Sequence, residues 1–134
     1  MFKILEHGSD VMFEIYFSDT KSFFEQLTQA FRAIMIDAPP KGTMISKTFS
    51  IKESDDISTN AIRFLNELIF TFDIEWLIPL KCIEITNQGE FLELNLSMER
   101  IRDPGSIINV PKAATYSGTM KDKNNSPLKF IIDI

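Results

Sequence analysis

Pro127-Leu128-Lys129-Phe130-Ile131-Ile132-Asp133-Ile134 reads as a core β-strand that runs into the last residue of the chain. Terminal residues fray unless a sheet or helix ties them down, so a run of Phe and Ile bearing the terminal carboxylate predicts a tail held in a sheet. Asp133 stands immediately before that carboxylate. Two anions one residue apart repel each other, and a hard divalent cation would relieve the repulsion. The pair is therefore half of a candidate metal site. The plain alternative is a strand whose Asp faces water.

Outward from this strand, residues 113–120 read as its hairpin partner across a polar turn at 121–126. At the other end of the chain, residues 2–5 form a short apolar opening strand, and residues 6–10 a polar turn containing Gly8. Val11, Phe13, Ile15 and Phe17 then alternate with Met12, Glu14 and Tyr16, the period of a half-buried strand. This puts Asp10 at a strand edge.

The period changes after Ser18-Asp19-Thr20, which supplies three possible helix caps. Phe23, Phe24, Leu27, Ala30, Phe31, Ile34 and Met35 recur at helical spacing through Asp37, until Ala38-Pro39-Pro40-Lys41-Gly42 stops the hydrogen-bond ladder. Residues 43–53 read as a strand with Ile45, Phe49 and Ile51 inward. Ser54-Asp55-Asp56 caps a second helix carrying Ile57, Ala61, Phe64, Leu65, Leu68, Ile69 and Phe72 on one face. Residues 73–79, with the only Trp, Trp76, read as a connection. Strands at 80–86 and 90–98 follow around Gln88-Gly89, with Leu92, Leu94, Leu96 and Met98 on one face and Glu93, Asn95, Ser97 and Glu99 on a solvated one. Asp103-Pro104-Gly105 opens an irregular segment that lasts to Pro111. The order predicts one α+β domain over residues 1–134, with two helices packed on one face of a mostly antiparallel or mixed β-sheet.

Composition agrees with a folded domain: 44% of the 134 residues are hydrophobic and 25% charged, and 12 are Phe, enough rings to fill a core between layers. A net charge of −5 argues against a face that neutralises a phosphate backbone, so no direct nucleic-acid binding is expected. Cys82 is alone, which points to a reducing compartment: the cytoplasm, with the nucleus added if the cell is eukaryotic. No apolar run reaches the length of a membrane span, and the first residues lack the shape of a signal peptide. Oligomeric state is not legible.

His7 is the only histidine, so neither a zinc triad nor a His-Glu-x-x-His helix can be assembled. There is no Gly-rich phosphate loop and no nucleophile elbow. A lone loop histidine is more often a structural hydrogen-bonder. The set with chemical sense is carboxylate-only: Asp10, Asp133 and the terminal carboxylate of Ile134. Three hard oxygen donors suit calcium, magnesium or manganese. They converge only if the Asp10 strand and the last strand are neighbours.

Four separated blocks, in order, resemble the archease family: His7-Gly8-Ser9-Asp10-Val11; Leu65-Asn66-Glu67-Leu68-Ile69-Phe70-Thr71-Phe72-Asp73; Lys112-Ala113-Ala114-Thr115-Tyr116; and the terminal Ile132-Asp133-Ile134. The resemblance implies an α+β fold and a metal site at Asp10, Asp133 and Ile134. It also implies a protein that is not an enzyme but an activator of an RtcB-type GTP-dependent RNA ligase in tRNA splicing or RNA repair, promoting its guanylylation and multiple turnover. His7, Lys112, Tyr116 and Glu99 are expected to support the metal or meet the partner, with sheet packing and a solvated face as the simpler roles of Tyr116 and Glu99. Two other readings stand beside it: a chaperone or adaptor for RNA-processing enzymes, and a small metal-dependent hydrolase with His7 as base. The chain departs from the family where Arg63 and Phe64 replace a frequent Asp-Trp pair, and where residues 102–111 lack a His that often precedes the Lys-Ala block.

Overall fold

The computed structural model describes residues 1–116 and 127–134, apart from the side chains of Glu6 and His7. Along the described chain run β1 (Phe2–His7), β2 (Asp10–Ile15), α1 (Thr20–Met35), β3 (Met44–Lys52), α2 (Ile57–Glu75), β4 (Leu77–Gln88), β5 (Phe91–Arg100), a short 3-10 turn (Pro104–Ser106), β6 (Ala113–Tyr116) and β7 (Leu128–Asp133). The expected turn at 121–126 lies outside the described residues.

Both helices begin where their caps predict. The Asp19 carboxylate accepts the Ser22 N–H at 2.7 Å, and the Asp56 carboxylate accepts that of Ser58 at 3.2 Å, each satisfying a donor the helix cannot. The ends differ from expectation. Helix α1 stops at Met35, and Ile36 turns extended to bridge Ile107. Helix α2 runs to Glu75, and the connection predicted at 73–79 shrinks to Trp76 alone. Trp76 takes the left-handed conformation, φ 57°, while its N–H still bonds Phe72. That position is usually Gly, so nothing in the sequence marked it. Pro79, the last residue of that expected connection, lies inside β4 where the register with β5 shifts.

The α+β class stands, but the strands divide into two sheets, ordered β1-β2-β7-β6 and β3-β5-β4, and every pairing among the described residues is antiparallel. Both helices contact both sheets: α1 meets β4 of one and β1 and β2 of the other, while α2 meets β3 and β4 of one and β6 of the other. The Phe residues join the two halves. Phe130 of β7 lies 6.2 Å from Phe23 of α1, which meets Phe24 edge-on at 5.1 Å; Phe24 meets Phe64 of α2 at 5.6 Å, and Phe64 meets Phe49 of β3 at 6.0 Å. Each such contact adds about 0.5–1.5 kcal/mol beyond the burial of area. No helix among the described residues is long and apolar enough to cross a membrane.

Candidate metal centre

Strand β2 lies between β1 and β7, so the strands of Asp10 and Asp133 are neighbours, the condition that convergence of these residues requires. Asp10 stands directly opposite Asp133, His7 opposite Asp10, and Ala113 opposite Asp133, which makes one row across four strands. Residues opposite one another project from the same face, with Cβ atoms about 4.5–5.5 Å apart. Val11, Phe13, Ile15, Phe130 and Ile132 are buried on the inner face, so the alternation of the strands sends Asp10 and Asp133 outward. Asp133 is exposed and Asp10 half-buried.

The backbone of the row is held on both sides. Residues Gly8 and Ser9 join β1 to β2 in a two-residue turn, and Gly8 has φ 67°, which the primed hairpin turns require. The Ser9 carbonyl accepts the N–H of Ile134 at 3.3 Å, and the Asp133 carbonyl accepts the N–H of Lys112 at 2.7 Å. Asn109, which the sequence did not single out, lines the adjoining open cleft with Gly8, Asp10, Val11 and Ile134. Its side-chain amide donates to the Ile34 carbonyl at 2.8 Å.

The donor chemistry fits a hard cation. Two Asp carboxylates and the carboxylate of Ile134 are oxygen donors of the type that calcium, magnesium or manganese takes. No group of three His, Cys, Asp or Glu side chains among the described residues could hold a metal ion, so a cation at this row would need a donor besides the two Asp side chains, such as the Ile134 carboxylate, backbone carbonyls or water.

The other expected residues divide. The side chain of His7 lies outside the described part, although its backbone takes the register position opposite Asp10. Lys112 is exposed beside the row. Tyr116 sits further along β6 and packs its ring 5.5 Å from that of Phe130, a packing role. Of the departures, Phe64 is buried in the core, and the Arg63 guanidinium donates to the Lys52 carbonyl at 2.6 Å.

Glu99 overturns the expectation of a solvated face: it is 3% exposed and belongs to the other sheet. Its Oε1 accepts from Arg32 at 2.8 Å, and its Oε2 accepts the N–H groups of Lys41 and Gly42, each at 2.8 Å. Burial pushes this carboxyl up, but the two backbone donors and the guanidinium outweigh it and hold it below the usual carboxylate range. The alternation along β5 holds from Phe91 to Met98 and breaks at Glu99, where two successive residues are buried. What covers it comes from Arg32 on α1 and from residues 41 and 42, far away in sequence.

The model of the Archease protein family (MTH1598/TM1083) matches residues 2–134. "Protein archease" of Archaeoglobus fulgidus is 27% identical over 117 residues, covering 85% of this chain and 83% of its own. Protein 1598 of Methanobacterium thermoautotrophicum superposes with a TM-score of 0.75 at 22% identity, over 99% of this chain and 98% of that one. A structure from Thermotoga maritima, described as an archease and possible chaperone, superposes with a TM-score of 0.62 at 17% identity, over 98% and 96%.

Proposed function

The chain belongs to the archease family, and on that premise we propose that it is a non-catalytic activator of an RtcB-type RNA ligase, promoting guanylylation and repeated turnover of that enzyme in the cytoplasm. The observation that carries the reading is the register pair Asp10 and Asp133, with Ile134 tied to Ser9 beside it. These three residues would hold a divalent cation through their carboxylates. Such a cation, when bound, supplies positive charge against phosphate oxygens.

The chain's own part is to present the row and to dock. On the same outer face, the next row outward is Leu5, Met12, Ile131 and Thr115. Leu5 is 42% exposed there, and Met12 and Ile131 are half-buried. This row offers a protein partner apolar contact beside the carboxylates. Lys112, exposed at the row's edge, would meet acidic groups or phosphates. A net charge of −5 favours a protein partner over direct contact with RNA.

The test is guanylylation and multiple-turnover ligation by the cognate ligase, with substoichiometric amounts of this protein, in manganese or magnesium. Asp10→Ala and Asp133→Ala should abolish acceleration with the circular dichroism spectrum unchanged, and Met12→Glu should weaken it. Full acceleration by either Asp variant would sink the reading. Residues appended after Ile134 convert its carboxylate to an amide, and unaltered activation would remove that group from the site. A second reading, a general chaperone, is favoured by the description of the Thermotoga protein. Suppression of aggregation in unrelated proteins that survives Asp133→Ala would support it.

A further inference from the structure

A cavity of about 240 Å³ opens between residues 36–42 and residues 99–106, at the end of the three-stranded sheet. Ile36, Ala38, Pro39 and Ile101 give it apolar walls. Glu99 is also part of the lining, yet both its oxygens are occupied by Arg32, Lys41 and Gly42, and the guanidinium compensates its charge. The cavity is therefore no cation site.

The charge left at its rim is positive. Arg102 donates to the neutral Thr43 hydroxyl at 3.1 Å, which positions its guanidinium without neutralising it, whereas Arg100 meets the loop with its backbone carbonyl and sends its guanidinium to the Glu75 carbonyl at 2.9 Å, outside the lining. The Lys41 ammonium has no ion-pair partner among the described residues. Asp103 is the one opposing rim carboxylate, and it accepts the Gly105 N–H at 3.0 Å. Two cations, Lys41 and Arg102, against one such anion, on a chain of net charge −5, is a local reversal of sign. The walls are also preformed. Glu99 ties down the N–H groups of Lys41 and Gly42, and a Cβ on Gly42 would collide with the Arg100 carbonyl oxygen, so loop and strand already meet at closest approach.

We propose that this cavity binds a small apolar anion: a carboxylate or phosphomonoester carried on a single ring or a short branched chain. The body fills the space between Pro39 and Ile101, and the acid group meets Lys41 and Arg102. The size argues for a compact ligand, since the volume falls just under the range of about 300–1,000 Å³ typical of small-molecule sites. The proposal stands apart from the metal centre, which uses the other sheet.

The probes are benzoate, phenyl phosphate and neutral benzyl alcohol, titrated into the ¹⁵N-labelled full chain. The expected result is saturable shifts of the Gly42, Ile101 and Ser106 amides with at least one anion, and weaker binding of benzyl alcohol. Lys41→Gln and Arg102→Gln, both at exposed positions, should each weaken the anion by about 2–5-fold and leave benzyl alcohol unaltered. Tighter benzoate assigns the ligand as a carboxylate, and tighter phenyl phosphate as a phosphomonoester. Absence of saturation at these amides, equal affinity for anion and alcohol, or indifference of the anions to both variants would overturn the proposal.

Discussion

Replacing Glu99 by Ala strands a guanidinium in the interior. Arg32 is 8% exposed, and its other acceptors among the described residues are the Pro79 and Ala38 carbonyls, both at 3.4 Å, long for N–H···O bonds. The same change removes the acceptor of two backbone donors, at Lys41 and Gly42. Removing one member of a buried pair costs about 3–5 kcal/mol, because the surviving charge keeps its desolvation cost without its partner. With an unfolding entropy of about 2.1 cal/mol/K per residue, this corresponds to a fall in Tm of roughly 10–18 °C. Urea unfolding followed by Trp76 fluorescence and by circular dichroism measures it. The double variant Arg32→Met/Glu99→Leu should recover most of the loss, since apolar replacement of a whole buried pair is often neutral. A Glu99→Ala protein that unfolds at the parent's urea midpoint would refute the reasoning. The pH dependence has a definite sign. A carboxylate held below its unfolded value of about 4.3 contributes stability that is complete above that pH and is lost as pH falls toward its folded value. Acid should therefore weaken the parent below about pH 4.3, and Glu99→Gln should flatten that part of the curve.

Three further outcomes follow from single residues. Cys82 is 2% exposed and burial pushes its thiol up to about 11, so at neutral pH a thiol reagent should label it far more slowly in the folded protein than in urea; equal rates would contradict the burial. Gly42→Ala should cost upward of about 2 kcal/mol in urea unfolding, because the new methyl group meets the Arg100 carbonyl and disturbs the N–H that Glu99 accepts; a neutral variant would deny the close approach. At Trp76, glycine relieves left-handed strain of about 1–2 kcal/mol but loses the 5.2 Å ring contact with Phe72, so Trp76→Gly should stay within about 1 kcal/mol of the parent while Trp76→Val falls clearly below it.

The helices were legible because their signals are local: a capping Asp and a run of apolar residues at helical spacing lie within a few residues of the contacts they report. The division into two sheets was not. Pattern identifies which face of a strand is buried but not which strand lies beside it, and the Phe chain from Phe130 to Phe49 is assembled from four elements. Glu99 failed for the same reason, since its partners Arg32, Lys41 and Gly42 lie between 57 and 67 residues away.

The candidate metal centre falls between these extremes. That Asp10 and Asp133 both point outward follows from alternation with Val11 and Phe13 in one strand and Phe130 and Ile132 in the other, all of them buried. That they meet depends on the β2–β7 register, and core packing enforces that register. Phe13 and Phe130 are opposite one another with ring centroids 5.7 Å apart, and Phe130 also touches Phe23 and Tyr116. Sliding β7 by one residue would turn Phe130 and Ile132 to solvent and bring Asp133 into the core. Exposing those two side chains alone costs about 3–6 kcal/mol, comparable with the whole stability of many domains. The carboxylates are thus held opposite one another by hydrophobic residues on the reverse of the same strands. Substitutions at Phe13 or Phe130 should damage the site before either Asp is touched.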